Sequence, residues 1–502
     1  MEERKMNLKA DVLEKVAKYA FEGTLERYKE YIPLELVPHG SRPSFRCCVY
    51  REREIVRNRV SWACGQATVN DGSNYMFTDE VVAVLNSACE GCPLQRYTVT
   101  NNCQHCLAQR CVQACHFDAI IMTPHGAMIN TDKCRECGMC AKACPYNAIA
   151  DARRPCVRSC PTQAISVDKK NHRAEIDYSK CISCGSCTTA CPFSAISDVS
   201  MICDVIEAIR DESREVYACF APSIEGQFGH VTVGELVRAL TDLGFTGAME
   251  VALGADATAY AEAQEVKEAA ENGRHMTTSC CPAFYNMVAK HYPAQLPLVS
   301  HTVSPMAATA RYLKQLHPGA LVCFIGPCIA KKSEVKRFRE MNSVNADFVI
   351  TYEELAAMFR ARDIDPESEA ANDLQQGSLY GKNFAVSGGV SAAVQQVLKE
   401  EKFELPVSCL KCNGAEECKK ALTTLKLGRV AETVVEGMAC EGGCVNGPAK
   451  RLDLRQATEF RRHLLSDADQ RTIIDNLQDA GFIGIDMKDG RDADVKPDIP
   501  QS

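Results

Sequence analysis

The residues best suited to chemistry in this chain are its cysteines, which number 30 among 502 residues. Two runs have the spacing Cys-x2-Cys-x2-Cys-x3-Cys-Pro, in which three thiolates take three corners of an iron–sulfur cubane and the fourth reaches a neighbouring cubane. The competing interpretation, a zinc ribbon, uses two separated Cys-x2-Cys pairs. The spacing therefore favours 4Fe–4S clusters. The runs are Cys134, Cys137, Cys140 and Cys144, then Cys181, Cys184, Cys187 and Cys191.

A looser half-repeat of the same kind precedes the first run. Because the fourth cysteine of each half-repeat crosses to the other cluster, we predict two clusters here. The first set of ligands is Cys103, Cys106, Cys111 and Cys144, and the second set is Cys134, Cys137, Cys140 and Cys115.

The half-repeat before the last run is broken, since Ala150 and Arg153 stand where its first two cysteines would be. An upstream Cys-x2-Cys-Pro pair can supply the missing ligands. We therefore predict two more clusters, so that one two-cluster unit is nested inside another. The alternative is that the chain binds only three of these clusters and that the cysteines of the fourth set, given below, bind none. The third set is Cys181, Cys184, Cys187 and Cys160, and the fourth set is Cys89, Cys92, Cys156 and Cys191.

The composition, 46% apolar and 24% charged residues, is that of a globular chain with a sizeable core. Its formal charge of -8 argues against nucleic acid or an anionic membrane as a partner, because both require a basic surface. The first residues contain no apolar signal segment and no later run is long enough to span a membrane. We expect a cytoplasmic protein whose thiols bind metal rather than form disulfides.

The elements that must position these residues change in kind along the chain. Apolar positions at helical spacing predict a helical lead-in. After about residue 205, strand-like runs alternate with helices, which predicts an α/β domain. Thr351 and Glu354 form a predicted capping box at the start of one helix. Predicted strands include Glu215–Phe220, Ala320–Ile325 and Phe384–Val386.

Three separated motifs in the second half resemble the signatures of diiron, iron-only hydrogenases: Thr278–Pro282, Pro327–Glu334 and Glu436–Cys444. The Ala-Phe after Pro282 resembles the second, TSCCPAF-type group of that family. The resemblance covers roughly residues 86–450. It implies reversible reduction of protons to hydrogen, with electrons relayed through 4Fe–4S clusters to or from a ferredoxin or similar soluble carrier.

The resemblance also implies a domain order. It consists of a helical lead-in over 1–85, an α+β ferredoxin-like 4Fe–4S domain over 86–205, an α/β catalytic domain of the diiron hydrogenase type over 206–450, and a helical tail over 451–502.

The catalytic cofactor implied by the resemblance is the H-cluster, a 4Fe–4S cubane bridged to a two-iron subsite with carbonyl, cyanide and azadithiolate ligands. Its ligands, here called the catalytic set, would be Cys281, Cys328, Cys440 and Cys444, with Cys444 as the bridge. Dedicated maturation proteins would assemble it. Lys331 would donate to a cyanide. The residues implied around the subsite are Ala221, Pro222, Ser223, Met306, Phe384 and Met438.

A proton path is implied in the order Cys280, Glu262, Ser300, Glu265 and solvent. Glu262 and Glu265 share a helix face by their spacing, although such pairs more often mark a solvated face. Two positions depart from the family, because Met306 replaces a glutamine and Gly326 a methionine. We hypothesise that Met306 fills the space left at Gly326. The family's arginine at the end of the path is also absent, with Ala269 in its place.

Six further cysteines are interpreted as core, structural or unassigned residues, with an accessory metal site as the alternative for the last three: Cys47, Cys48, Cys64, Cys409, Cys412 and Cys418. No nicotinamide or flavin fingerprint is visible. Two other functions are considered, a hydrogen or redox sensor and a non-catalytic iron–sulfur assembly scaffold. The presence of Cys280, Glu262 and Lys331 favours the enzyme over both.

Overall fold

A computed structural model describes residues 7–491 except 67, 71–74, 94, 169, 369–375, 467, 469 and 483. Residues 1–6 of the predicted lead-in and 492–502 of the predicted tail lie outside the described residues. The lead-in begins with helices, because apolar residues such as Val12 and Val16 recur at helical spacing and pack into the core beside a later helix. These helices are α1 Leu8–Phe21, α2 Leu25–Tyr28, α3 Ile32–Leu36 and α4 Val49–Ala63.

The cysteine-rich segment is built from short antiparallel strand pairs, one enclosed by another along the chain. The outer pair is β3 (Val82–Val84) with β10 (Ile196–Asp198), and the inner pair is β4 (Tyr97–Val99) with β7 (Ile149–Asp151). Residues 1–85 are predicted to be a helical lead-in, but β3 within this range is a buried strand that pairs with the cysteine-rich segment. The remaining elements are β1 Thr68–Asn70, β2 Tyr75–Phe77, α5 Arg110–Gln113, β5 Ile120–Thr123, β6 Gly126–Ile129, α6 Met139–Ala143, α7 Pro155–Ser159, β8 Ile165–Val167, β9 Ala174–Ile176 and α8 Ser186–Ala190.

The second half of the chain contains two parallel sheets surrounded by helices, which confirms the α/β prediction. The strands are β11 Val216–Phe220, β12 Gly247–Glu250, β13 Met276–Thr277, β14 Leu321–Gly326, β15 Phe348–Thr351, β16 Cys409–Asn413 and β17 Val434–Met438. The strand order is β12-β11-β14-β15 in one sheet and β13-β17-β16 in the other. The helices are α9 Ile202–Arg210, α10 Val233–Leu243, α11 Val251–Glu271, α12 Pro282–His291, α13 Pro305–Leu316, α14 Ala330–Glu340, α15 Tyr352–Ala361, α16 Leu379–Asn383, α17 Gly389–Glu400, α18 Ala415–Lys426, α19 Leu454–Ser466 and α20 Ile473–Asp479.

Two local predictions have opposite outcomes. The capping box is confirmed, because Thr351 Oγ1 accepts from the Glu354 amide and the Glu354 carboxylate accepts from the Thr351 amide. The predicted strand Phe384–Val386 is wrong. This segment is the turn between α16 and α17, and Val386 makes a single bridge to Gly443. Phe384 and Ala385 are nevertheless buried, and Phe384 belongs to an apolar cluster that includes residues of α11 and α17.

Candidate active site

The cavity that collects the three motifs lies at the carboxyl ends of four parallel strands. From one sheet, β11 and β14 end at Phe220 and Gly326; from the other, β13 and β17 end at Thr277 and Met438. Loops at such strand ends form the ligand sites of open α/β sheets. The loops here line about 850 Å³ of space between protein atoms, including solvent at the opening, and the lining is mostly apolar.

All four cysteines of the catalytic set line this cavity. Burial, together with the charge of Cys281, raises the pKa of Cys444 to about 11. Burial also raises the pKa of Cys440 well above its usual value, and the charges of Cys328, Cys281 and Cys444 add to the rise. Four soft sulfur donors held close together in a buried cavity fit an iron–sulfur cubane, which would stabilise their charged forms.

Some of the other predicted site residues line the cavity, and some do not. The side chains of Ser223, Glu262, Glu265 and Ser300 do not line the cavity. Ser223 is buried, and its hydroxyl lies 2.8 Å from the hydroxyl of Tyr352. The residues that do line it are Ala221, Pro222, Cys280, Met306, Lys331, Phe384 and Met438.

The space beside Gly326 is occupied by Phe324 rather than by Met306, so our hypothesis on this point was wrong. The atoms nearest to a Cβ built on Gly326 are two ring atoms of Phe324, at 2.7 and 2.8 Å, and Cβ of Ala221 at 3.4 Å. Residues two apart on a strand point to the same side. The Phe324 ring can therefore fold back over Gly326, and both Phe324 and Met306 line the cavity.

Lys331 brings a buried cation to the cavity. Its Nζ donates to Glu334 Oε2 at 2.6 Å, to Ser304 Oγ at 2.8 Å and to the carbonyl of Cys280 at 3.4 Å. The Glu334 carboxylate offsets the cost of burying the ammonium. Its three N–H donors are directed at these groups, so the ammonium would hold an anionic ligand in the cavity by its charge, or by exchanging the long contact to the Cys280 carbonyl for one to the ligand.

The predicted proton path begins with a buried carboxyl group behind the cavity. Glu262 Oε1 accepts from the Ser279 amide at 3.3 Å and from its hydroxyl at 3.5 Å. The hydroxyl of Ser300 also hydrogen-bonds this carboxylate. Burial, followed by the charge of Glu265, raises the pKa of Glu262 to about 8. Glu262 is therefore able to hold a proton near neutral pH.

The outer part of the path contains residues that the sequence did not single out. Glu265 Oε1 accepts from the hydroxyl of Thr302 at 2.9 Å, and Oε2 accepts from the amide of His301 at 3.1 Å. Arg491 donates to the carbonyl of Ser300 and, at 3.3 Å, to that of Val299. Arg491 is far away in the chain, so no local signal indicated its place. Ser279 is next to Cys280 in the sequence and Thr302 is two residues after Ser300, so both could have been found from their positions.

The structure also gathers the accessory cysteines. In each of the four sets, burial raises the pKa of at least one cysteine, and the negative charges of other cysteines in the same set add to the rise. The contributing neighbours are Cys144 and Cys106 for Cys111; Cys134 and Cys115 for Cys140; Cys184, Cys181 and Cys160 for Cys187; and Cys191, Cys89 and Cys92 for Cys156. The donor chemistry of every set fits a cubane.

The third set lies beside the catalytic cavity. Cys184 itself lines the cavity. Burial raises its pKa, hydrogen bonds from Ser186 act against this rise, and the charges of Cys160 and Cys281 add to it. A redox group at the third set would thus be a direct neighbour of one at the catalytic set.

The unassigned cysteines include two neighbouring pairs. Cys64 hydrogen-bonds Cys203, and Cys412 hydrogen-bonds Cys418. Cys47 is exposed, Cys48 is half-buried, and Cys409 Sγ accepts from Gln395 at 3.7 Å. Within the described ranges, no group of three or more His, Cys, Asp or Glu residues is arranged around a single metal ion.

Comparison with family models assigns three segments of the chain. Residues 214–448 match the iron only hydrogenase large subunit, C-terminal domain; residues 154–195 match a 4Fe-4S dicluster domain; and residues 127–150 match a 4Fe-4S binding domain. These matches show that the α/β domain is similar to the C-terminal domain of iron only hydrogenase large subunits and that ferredoxin-like 4Fe–4S domains precede it.

Proteins with similar sequences include two hydrogenases and a probable assembly factor. Iron hydrogenase 1 of Clostridium pasteurianum is 28% identical over 48% of this chain and 51% of its own length, so the chain spans about half of that relative. The periplasmic Fe hydrogenase large subunit of Nitratidesulfovibrio vulgaris is 28% identical over 49% of this chain and 71% of its own. A probable cytosolic Fe-S cluster assembly factor of Brugia malayi is 23% identical over 48% and 63%.

Among solved structures, an FeFe-hydrogenase from Chlamydomonas reinhardtii superposes with a TM-score of 0.42 and 22% identity, covering 55% of this chain and 93% of that one. None of the helices in the described part of this chain combines the length and apolar character of a membrane span.

Proposed function

We propose that the protein is a hydrogenase that reversibly combines two protons and two electrons into hydrogen at the strand-end cavity. The observation that carries the proposal is the convergence of the three motifs on one buried space, with Lys331 and Cys280 at its edge and Glu262 behind it. When bound, the H-cluster would supply the hydrogen chemistry, held by the catalytic set.

The chain's own groups would then perform separate tasks. Lys331, paired with Glu334, fixes an anionic ligand in the cavity, and the apolar lining excludes water. Cys280 holds a proton at its sulfur, and Glu262 holds the next at its carboxyl group. From there Ser300, Glu265 and Thr302 lead towards the surface.

Electrons would reach the catalytic set through the third set, and the third set through the other accessory clusters. The proposed partner is a ferredoxin or similar soluble one-electron carrier, and dedicated maturation proteins would load the H-cluster. The Thr-Ser-Cys-Cys-Pro-Ala-Phe sequence from Thr278 supports the second group of the family. We propose a cytoplasmic location, which cell fractionation tests because one relative is named as periplasmic.

Infrared spectroscopy of the anaerobically matured protein, first under hydrogen and then under carbon monoxide, tests the function. We expect carbonyl and cyanide bands that respond to both gases. We also expect about 22 iron atoms per chain, from four for each of four accessory cubanes and six for the H-cluster. No bands, with a control hydrogenase matured in parallel, would favour an assembly role, the function named for one relative.

A further inference from the structure

A buried arginine sets the fourth set apart from the other cysteine sets. Arg154, 6% exposed, donates from Nη1 to Cys89 Sγ at 3.9 Å and from Nη2 to the carbonyl of His172 at 2.7 Å. It stands directly before α7, the helix that carries Cys156. Across the described ranges, no other lysine or arginine side chain donates to the sulfur of a predicted cluster ligand.

The charge of Arg154 is directed at the cysteines rather than at an acid. Among the described residues, no carboxylate lies within ion-pair distance of its guanidinium. A buried cation is costly unless an anion accompanies it. Cys89 would provide that anion, because its sulfur accepts from Arg154 at 3.9 Å and would be a thiolate when it binds a cluster.

Two further arginines lie around the same set. Arg59 is buried and donates to the carbonyl of Ser194 at 2.6 Å; burial lowers its pKa to about 10, and the charge of nearby Cys191 acts against this fall. Arg46 donates to the carbonyl of Ala88 at 3.0 Å, and its guanidinium lies 5.3 Å from the centre of the Phe193 ring. Three arginines therefore lie around the fourth set, in which Cys89 and Cys156 are buried and Cys92 and Cys191 are partly exposed.

We propose that Arg154 raises the reduction potential of the cluster bound by the fourth set above those of the other accessory clusters, so that this site stores one electron ahead of the catalytic cavity. The proposal rests on the proposed function. Uptake of one electron adds one negative charge, which a fixed guanidinium and its hydrogen bond to a ligand sulfur stabilise. The electron comes from the one-electron carrier and leaves towards the third set, without any bond being formed or broken.

Such a store suits the chemistry, because hydrogen formation consumes two electrons whereas the carrier delivers them singly. An electron held at the fourth set can wait until the second one arrives. Arg154 is a positioning residue in this scheme, acting on the cluster and not on the reacting protons.

The test is an electron paramagnetic resonance redox titration of the full-length, iron-loaded protein. Loss of one signal and about four iron atoms in the Cys89→Ala/Cys92→Ala variant identifies the cluster of the fourth set. We expect Arg154→Gln to lower its electron affinity at least tenfold, a shift of ~59 mV in midpoint potential. Arg154→Lys keeps the charge and should recover most of the shift. Arg158→Gln, which removes an exposed charge from the same helix, should leave the potential unchanged.

Unchanged potential in Arg154→Gln would overturn the proposal. If Arg154→Gln fails to retain the cluster, the titration of the wild-type protein tests the proposal instead. The signal that is absent from Cys89→Ala/Cys92→Ala must then have the highest midpoint potential of the accessory clusters in the wild type. A lower rank overturns the proposal, as does a double variant that keeps all its iron. Carbonyl and cyanide bands in the same samples would, in each of these cases, leave the hydrogenase function intact.

Discussion

Lys332 Nζ lies 2.7 Å from Asp198 Oδ2, and the two side chains are only 1% and 2% exposed. Asp198 ends β10, the last strand of the cysteine-rich segment, whereas Lys332 stands in α14, one helical turn after Cys328. The same ammonium lies 3.2 Å from Glu354 Oε1 in α15. A buried ionic contact therefore joins the cluster-binding segment to α14, which lines the catalytic cavity, and to α15.

Replacing Lys332 with methionine should lower the free energy of unfolding by about 3 kcal/mol, because Glu354 loses its buried cation and Asp198 keeps only Lys9, at 3.1 Å. Urea denaturation followed by circular dichroism measures this loss. Arg238→Met is the matched control, since Arg238 pairs with Asp242 at the exposed surface of α10 and should contribute less than about 1 kcal/mol. Equal losses in the two variants would contradict the prediction.

The local parts of the fold were predictable from the sequence. Helix α1 follows from apolar spacing, and the start of α15 follows from the Thr351–Glu354 box, because both signals lie within a few residues. The turn at Phe384–Val386 was mistaken for a strand. A short apolar run does not distinguish a sheet from a loop buried between helices, and the packing that decides it comes from distant residues.

The cysteine sets of the candidate site were predictable, because the spacing of their residues along the sequence indicates the clusters that they bind. The residues that adjust those groups were not predictable. Arg154 is an ordinary arginine until the chain folds and brings Cys89 beside it. Arg491 likewise reaches the Ser300 carbonyl across almost two hundred residues. Such contacts between distant residues leave no local pattern in a single sequence.

Glu262→Gln should reduce hydrogen production at least about 100-fold, because glutamine can keep the contact with Ser279 but cannot pass on a proton. Amperometric hydrogen detection with a reduced dye checks this. The control is Glu268→Gln, at an exposed position of the same helix, which should retain activity. Full activity in Glu262→Gln would remove Glu262 from the path.

The same carboxyl group makes stability depend on pH. Burial and the charge of Glu265 raise the pKa of Glu262 to about 8, above its unfolded value of about 4.3. The native protein therefore binds more protons than the unfolded chain between these values, so stability falls as pH rises through this window. Glu262→Gln should lose less stability than the wild type between about pH 5 and 8, as urea denaturation at both pH values can measure.

Cys280→Ala should separate turnover from cofactor binding. Cys280 is buried beside the cavity, and burial followed by the charge of Glu262 keeps its pKa well above the usual value, so the thiol holds its proton. We expect activity to fall by about 100-fold or more, with infrared bands and iron content retained. Cys281→Ala should instead lose iron, because Cys281 is a proposed ligand. Loss of the bands in Cys280→Ala would indicate a ligand role.

Gly326→Ala should destabilise the protein by about 1–3 kcal/mol, because the new methyl group would lie 2.7 Å from a buried ring atom of Phe324. Phe324→Leu should relieve this contact, so the double variant should be more stable than the sum of the two single changes predicts. Urea denaturation of the four proteins in this cycle measures the coupling. Additive effects would mean that the ring moves aside freely, and Phe324 would then not account for the glycine at position 326.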